Sequence, residues 1–177
     1  TNGVDYQVIG TQAYSVADQF ELLATAVGRL IAGEAPRFPL SARGLLGPSS
    51  LPPAARTTTH LDWPAFRETM HDVLDCICTQ QQVPSRVFVG ADAVPPADFL
   101  VALARVYEFH QKHGKLPLGE GVQLGNIVQF LPASHIASDT PGLFGGWVIH
   151  KEGFRAPKLL EVARLQAWTL KPALRKN

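Results

Sequence analysis

The stretch from Val83 to Pro117 constrains this chain more than any other. It reads Val-Pro-Ser-Arg-Val-Phe-Val-Gly, then Val94-Pro-Pro-Ala-Asp-Phe-Leu, then a helical run closing on Gly114-Lys-Leu-Pro. That order predicts a short strand feeding a Pro-started helix, which stops at a glycine followed by a proline. From Phe99 the apolar stripe runs through Leu103 and Val106 to His110, at offsets of four, seven and eleven. The same offsets from Phe66 give Met70, Val73 and Ile77, and from Phe20 they give Ala24, Val27 and Ile31. Any amphipathic helix imposes this period, so the offsets alone say little. The exits add to them. Phe66 to Pro84 and Phe99 to Pro117 are both eighteen residues, Phe20 to Pro36 is sixteen, and a short apolar segment follows each Pro: Phe38–Leu40, Val87–Val89 and Val122–Leu124.

One such unit cannot bury its own apolar face, whereas several stacked together can. The expectation is an α+β chain forming a single domain over residues 1–177. Its repeat-like units span about 15–40, 61–90 and 94–124, and a C-terminal extension of one strand and one helix covers 125–177. Ser15-Val-Ala-Asp18 is a capping box that opens the first helix, and Asp62 caps the second. A lead-in strand is expected within Thr1–Gln12, where Val4, Tyr6 and Val8 alternate with polar residues. Between Ala35 and Thr59 five prolines mark a long surface connection, of the kind that is either functional or mobile. Trp147–His150 reads as a strand, and a last helix starts at Pro157 with Leu159, Val162 and Ala163 turned inward.

The unit resembles the pseudomurein-binding repeat, a cell-wall-attachment module of about the same length. The matching residues are Val83-Pro84, Val87, Val89, Gly90, Phe99-Leu100, Leu103-Ala104 and Leu116-Pro117. The likeness covers roughly Leu61 to Leu124, with a degraded copy over Ser15 to Leu40. It implies a non-catalytic module that holds a cell-envelope polysaccharide or peptidoglycan-like polymer. It further implies an attachment part of a larger exported protein, in the extracellular space or cell envelope, with other domains on a longer chain.

Composition removes several other classes. A formal charge of +1 offers no basic face for nucleic acid. No apolar run approaches a membrane span, so no membrane insertion is expected. No signal peptide is visible at Thr1. Cys76 and Cys78, two apart on a helix, point to different faces, cannot bridge each other, and read as small packing residues.

Chemistry-bearing patterns are sparse. His110 and His113, with Glu108 nearby, have the helical spacing of metal ligands, yet His110 falls on the buried seam and His113 at the helix end. No metal and no cofactor is expected. Neither a G-x-S-x-G elbow nor a phosphate-binding glycine loop occurs. The carboxylate pairs Asp92/Asp98 and Asp72/Asp75 have simpler helix-end and surface roles, and the catalytic residues stay unassigned. The aromatics outside the Phe-led stripe are more suggestive, because Tyr and Trp present a flat apolar face with a polar edge. Trp63, Trp147, Tyr107 and His150 are the candidate ligand-binding residues. Two alternatives remain open: a carbohydrate-active enzyme with carboxylates from the 119–155 region, and a protein–protein scaffold.

Overall fold

The computed structural model describes residues 3–35, 39–53, 57–127, 129–135 and 157–174. Strand β1 (Gly3–Val4) leads to a hairpin of β2 (Gln7–Ile9) and β3 (Gln12–Tyr14), and helix α1 (Val16–Ile31) follows at once. After the long connection come β4 (His60–Leu61) and α2 (Trp63–Gln80). A second hairpin, β5 (Val87–Val89) and β6 (Asp92–Val94), opens directly into α3 (Pro96–His113). Strands β7 (Val122–Gln123) and β8 (Gln129–Phe130) precede a 3-10 turn at Leu131–His135. Helix α4 (Pro157–Gln166) and a 3-10 turn at Ala167–Thr169 close the described chain. The fold is α+β, as expected.

The helices begin and end where local chemistry places them. Ser15 and Asp18 form a reciprocal capping box, and the Asp62 carboxylate accepts from the Ala65 N–H at 2.8 Å. Helix α3 carries proline at its first position and ends at Gly114, whose φ of 64° is the left-handed cap that glycine adopts without strain. Helix α2 has no glycine to end it, and Gln81 takes the left-handed conformation instead, with φ 50°.

The Phe-led stripes form the core. Phe20, Phe66 and Phe99 are fully buried, and Ala24, Val27, Met70, Val73, Ile77, Leu103 and Val106 lie behind them. Rings continue across the helices. Trp63 stacks on Phe66 at 5.5 Å, Phe66 on Phe99 at 5.7 Å, and Phe20 meets Trp168 edge-on at 6.5 Å. Helix α1 packs against both α2 and α3.

The repeat is more specific, and differently phased, than the phenylalanines suggest. The two hairpins share one plan: a Gly-X loop with Gly10 and Gly90 at φ 60° and 57°, then a strand, then a helix. A positive φ at the first loop position is the type II′ pattern, which matches the twist of the flanking strands. In this register Ala13 corresponds to Ala93, Ala17 to Ala97 and Asp18 to Asp98, so Phe20 falls on Leu100 and not on Phe99. Both positions face the core, because adjacent residues on a wide apolar stripe are both covered. Helix α2 has no hairpin before it. Its lead-in, β4, pairs antiparallel with β7 beyond α3, and the boundary expected between residues 90 and 94 falls inside the second hairpin.

Two expectations are corrected, and a third falls outside the described residues. The lead-in strand breaks into β1 and β2 at Asp5-Tyr6, where the Asp5 carboxylate accepts the Tyr6 N–H at 2.8 Å, and β2 turns back at Gly10-Thr11 to pair with β3; β1 pairs in parallel with β8, in a segment that shows no periodicity. Leu159 and Val162 of α4 are exposed, and the chain buries Leu165, Ala167 and Trp168 instead. The C-terminal strand expected at Trp147–His150 lies outside the described residues, as does Phe38.

Where it is described, the connection of residues 39–59 is fastened at successive points. The Arg43 N–H and Nε–H donate to the buried Glu21 carboxylate at 2.8 and 2.6 Å, which raises the Arg43 pKa further. Leu46 bridges to Gln82, the Ser49 and Ser50 N–H groups donate to Ser85 Oγ, and Gln82 Nε2–H donates to the Gly47 carbonyl at 2.7 Å. Gly47 also passes so near Trp168 that an added Cβ would stand 2.9 Å from the Trp168 Cβ. Lys171 Nζ then meets Asp18 Oδ2 at 2.7 Å, tying the C-terminal segment to the head of α1.

Phe66→Ala or Phe99→Ala is expected to lower unfolding stability by ~3–5 kcal/mol, since each removes a ring with no exposed surface from a stacked core. Chemical denaturation measures this, and a loss below about 1 kcal/mol would show that the stack does not hold the helices together.

Candidate functional site

A cleft of about 700 Å³ opens at the head of α3. Pro95, Pro96 and Ala97 of that helix form one wall, Leu51, Pro52 and Pro53 of the connection another, and Arg164, Leu165 and Trp168 close the far side. Phe130 lies stacked on Trp168 with ring centres 5.0 Å apart. Exposed Gln123 and Asn126 bring amides to the rim. Its size falls in the range of about 300–1,000 Å³ usual for small-ligand sites.

Backbone bonds shape this cleft. Arg105 Nη1–H donates to the carbonyls of Gln123 and Leu124, both at 2.9 Å, which lays that strand along α3. The Gly125 N–H donates to the Asp98 carbonyl at 2.9 Å, and the Ile127 N–H to Asp98 Oδ1 at 2.7 Å. Asp98 is only 5% exposed, so its carboxylate is spent on holding residues 125–127 and is sheltered from the cleft's solvent. No second carboxylate appears among the described lining residues. General acid–base hydrolysis of the glycosidase kind needs two.

Of the four ligand-binding residues expected from sequence, the structure describes two, Trp63 and Tyr107. Trp63 is a core residue, 8% exposed and stacked on Phe66, which corrects its reading as a surface platform. The reason is position: at the first turn of α2 its side chain falls over the same apolar face that Phe66 opens. Tyr107 is half-buried against the core. Trp147 and His150 lie outside the described residues. The single exposed aromatic among the described residues is Phe88, which the sequence reading passed over. The signal was available: with Val87 and Val89 turned to the core, two-residue alternation sends Phe88 outward.

The remaining chemistry is dispersed among the described residues. No group of three His, Cys, Asp or Glu side chains is placed to hold a metal ion among the described residues. His113 packs on Phe109 at 4.4 Å, while the buried His110 Nδ1 has no hydrogen-bond partner. Burial, then the neighbouring Asp75, push the Cys76 thiol above its ordinary pKa, the reverse of nucleophilic activation. Glu120 is exposed on a turn, and Asp139 and Glu152 lie outside the described residues. No helix among the described residues is long and apolar enough to cross a membrane.

Asp92, set against Asp98 in sequence, proves to be a clamp. Its Oδ2 accepts the N–H groups of Thr58 at 2.6 Å and Thr57 at 2.9 Å, and the Thr57 hydroxyl at 3.0 Å. These bonds, those from Thr58 foremost, hold the carboxylate well below its usual pKa. A depressed folded-state pKa adds stability at neutral pH, and the contribution fades as pH falls below the ordinary carboxylate value of about 4. Asp92→Ala is therefore expected to melt earlier than wild type at neutral pH, and the gap to close towards about pH 2. Thermal melts of the two proteins across that range check this; a gap that does not change with pH would show that the ionised carboxylate is not what holds the connection.

Comparison with protein-family models, with curated proteins and with solved structures found no match to this chain.

Proposed function

We propose that this protein is a non-catalytic binding module for a cell-envelope polysaccharide or peptidoglycan-like polymer, working as the attachment part of a larger exported protein. The observation that carries the reading is the cleft at the head of α3. It combines an apolar floor with exposed amides, and its one described carboxylate is already committed to the Ile127 N–H. Such a lining can hold and orient a ligand, and its described residues offer no carboxylate pair for bond cleavage. The resemblance of Val83–Pro117 to a wall-attachment repeat supports the same class of partner. So does the hairpin–helix plan that occurs twice in this chain. Single sites of this kind bind weakly, and several modules on one chain multiply their hold on a polymer.

The expected outcome is that the protein sediments with isolated insoluble wall material and releases no reducing sugar or acetate from it. With a formal charge of +1, retention should change little between low and high salt. Asn126→Ala together with Gln123→Ala, both exposed at the cleft rim, should reduce the bound fraction several-fold while leaving the fold intact. Wild-type protein that stays in the supernatant with every wall polymer tried would end this reading. Release of sugar or acetate would replace it with an enzyme.

A further inference from the structure

A second concavity, separate from the cleft at α3, lies between α2, β5 and the connection, with a volume of about 390 Å³. Its lining is rich in hydroxyl and amide groups, and Phe88 stands on its edge, 56% exposed. That exposure follows from the hairpin. Phe88 alternates with core-facing Val87 and Val89, and its cross-strand partner is Ala93, too short to cover an aromatic ring. The Thr69 hydroxyl donates to the Phe88 carbonyl at 3.2 Å, which fixes the strand against α2 and so fixes the direction of the ring. The matching position of the first hairpin, opposite Ala13, holds Val8. The outward aromatic therefore belongs to the second hairpin alone.

The floor beside the ring is ordered before any ligand arrives. Ser85 Oγ accepts the Ser49 and Ser50 N–H groups at 3.0 and 3.1 Å, and Gln82 spends its amide N–H on the Gly47 carbonyl. Gln82 Oε1 then remains as an acceptor, exposed Gln80 adds an amide, and exposed Arg86 adds donors. The charges in the lining balance, with Asp72 acidic and Arg86 basic. A flat apolar face, donors and acceptors at its margin and no net charge together match one ligand chemistry. It is a neutral sugar ring, which has an apolar C–H face and a rim of hydroxyls.

We infer that the Phe88 groove is a sugar-binding subsite for a neutral pyranose, with the Phe88 ring as its stacking platform. The ligand class rests on the polysaccharide reading above; the site does not share the α3 cleft. The test titrates soluble β-1,4-linked N-acetylglucosamine tetramer into the intact chain and follows backbone amide shifts, for wild type, Phe88→Ala and Phe88→Trp. Saturable shifts at Gln82, Ser85 and Phe88 are expected in wild type. Affinity should fall about tenfold in Phe88→Ala and be kept or raised in Phe88→Trp. The exposed ring carries little of the core, so the melting temperature of Phe88→Ala should stay close to wild type. Silence of the groove amides in wild type, or equal affinity in Phe88→Ala, overturns the inference. Sedimentation with wall material alongside separates the two readings. Protein that sediments while the groove amides stay silent refutes the subsite and leaves the wall-binding module standing. Groove shifts without sedimentation refute attachment to insoluble wall and leave the subsite standing.

Discussion

The ring stack from Trp63 through Phe66 to Phe99 is the contact on which the rest of the molecule depends. It joins α2 to α3 at their N-terminal turns, where the strands feed in, and α1 packs against both helices. Each sheet among the described residues has only two strands, and such ribbons are marginal in water unless something covers a face. The helices supply that cover, and the buried rings hold the helices. The hairpins are thus held by a core to which they contribute only Val87, Val94 and a few partly covered neighbours.

The same arrangement explains why the hairpin surfaces are available for recognition. A two-stranded ribbon lying on helices has one face buried and one free. In the second hairpin the free face carries Phe88, and the fastened connection supplies ordered hydroxyls and amides beside it. The connection is thereby structural along most of its described length. Glu21, Ser85, Gln82 and Asp92 each hold one stage of it, and the bonds at Ser85 and Gln82 lie in the wall of the Phe88 groove.

Buried carboxylates do structural work here that could be mistaken for catalysis. Asp18 and Asp98 occupy matching places in the two hairpin–helix units, and both are sealed from solvent. Asp18 receives the Ser15 N–H and Lys171 Nζ; Asp98 receives the Ile127 N–H. In each unit an acidic side chain near the helix start, where the dipole favours it, captures a segment distant in sequence. An aspartate used this way is not at liberty to move protons for a substrate.

Local rules made much of this chain legible before folding was considered. The helix starts at Ser15, Asp62 and Pro95, the glycine stop at Gly114 and the buried phase of Phe20, Phe66 and Phe99 all follow from caps, prolines and a 3.6-residue period, which act over one or two turns. Pairings between distant segments left no such mark. Strand β1 meets β8, β4 meets β7, and Arg43 finds Glu21, because closing long loops to bury apolar surface brought them together. Burial of single residues was decided at the same level. Trp63, Leu159 and Val162 each lie on the side opposite to the one their local pattern suggests, since a helix period tells which residues share a face but not which face a neighbour will cover. Phe88 stands between the two cases. Alternation along β5 points it outward, but only the packed connection and α2 place amides and hydroxyls around it.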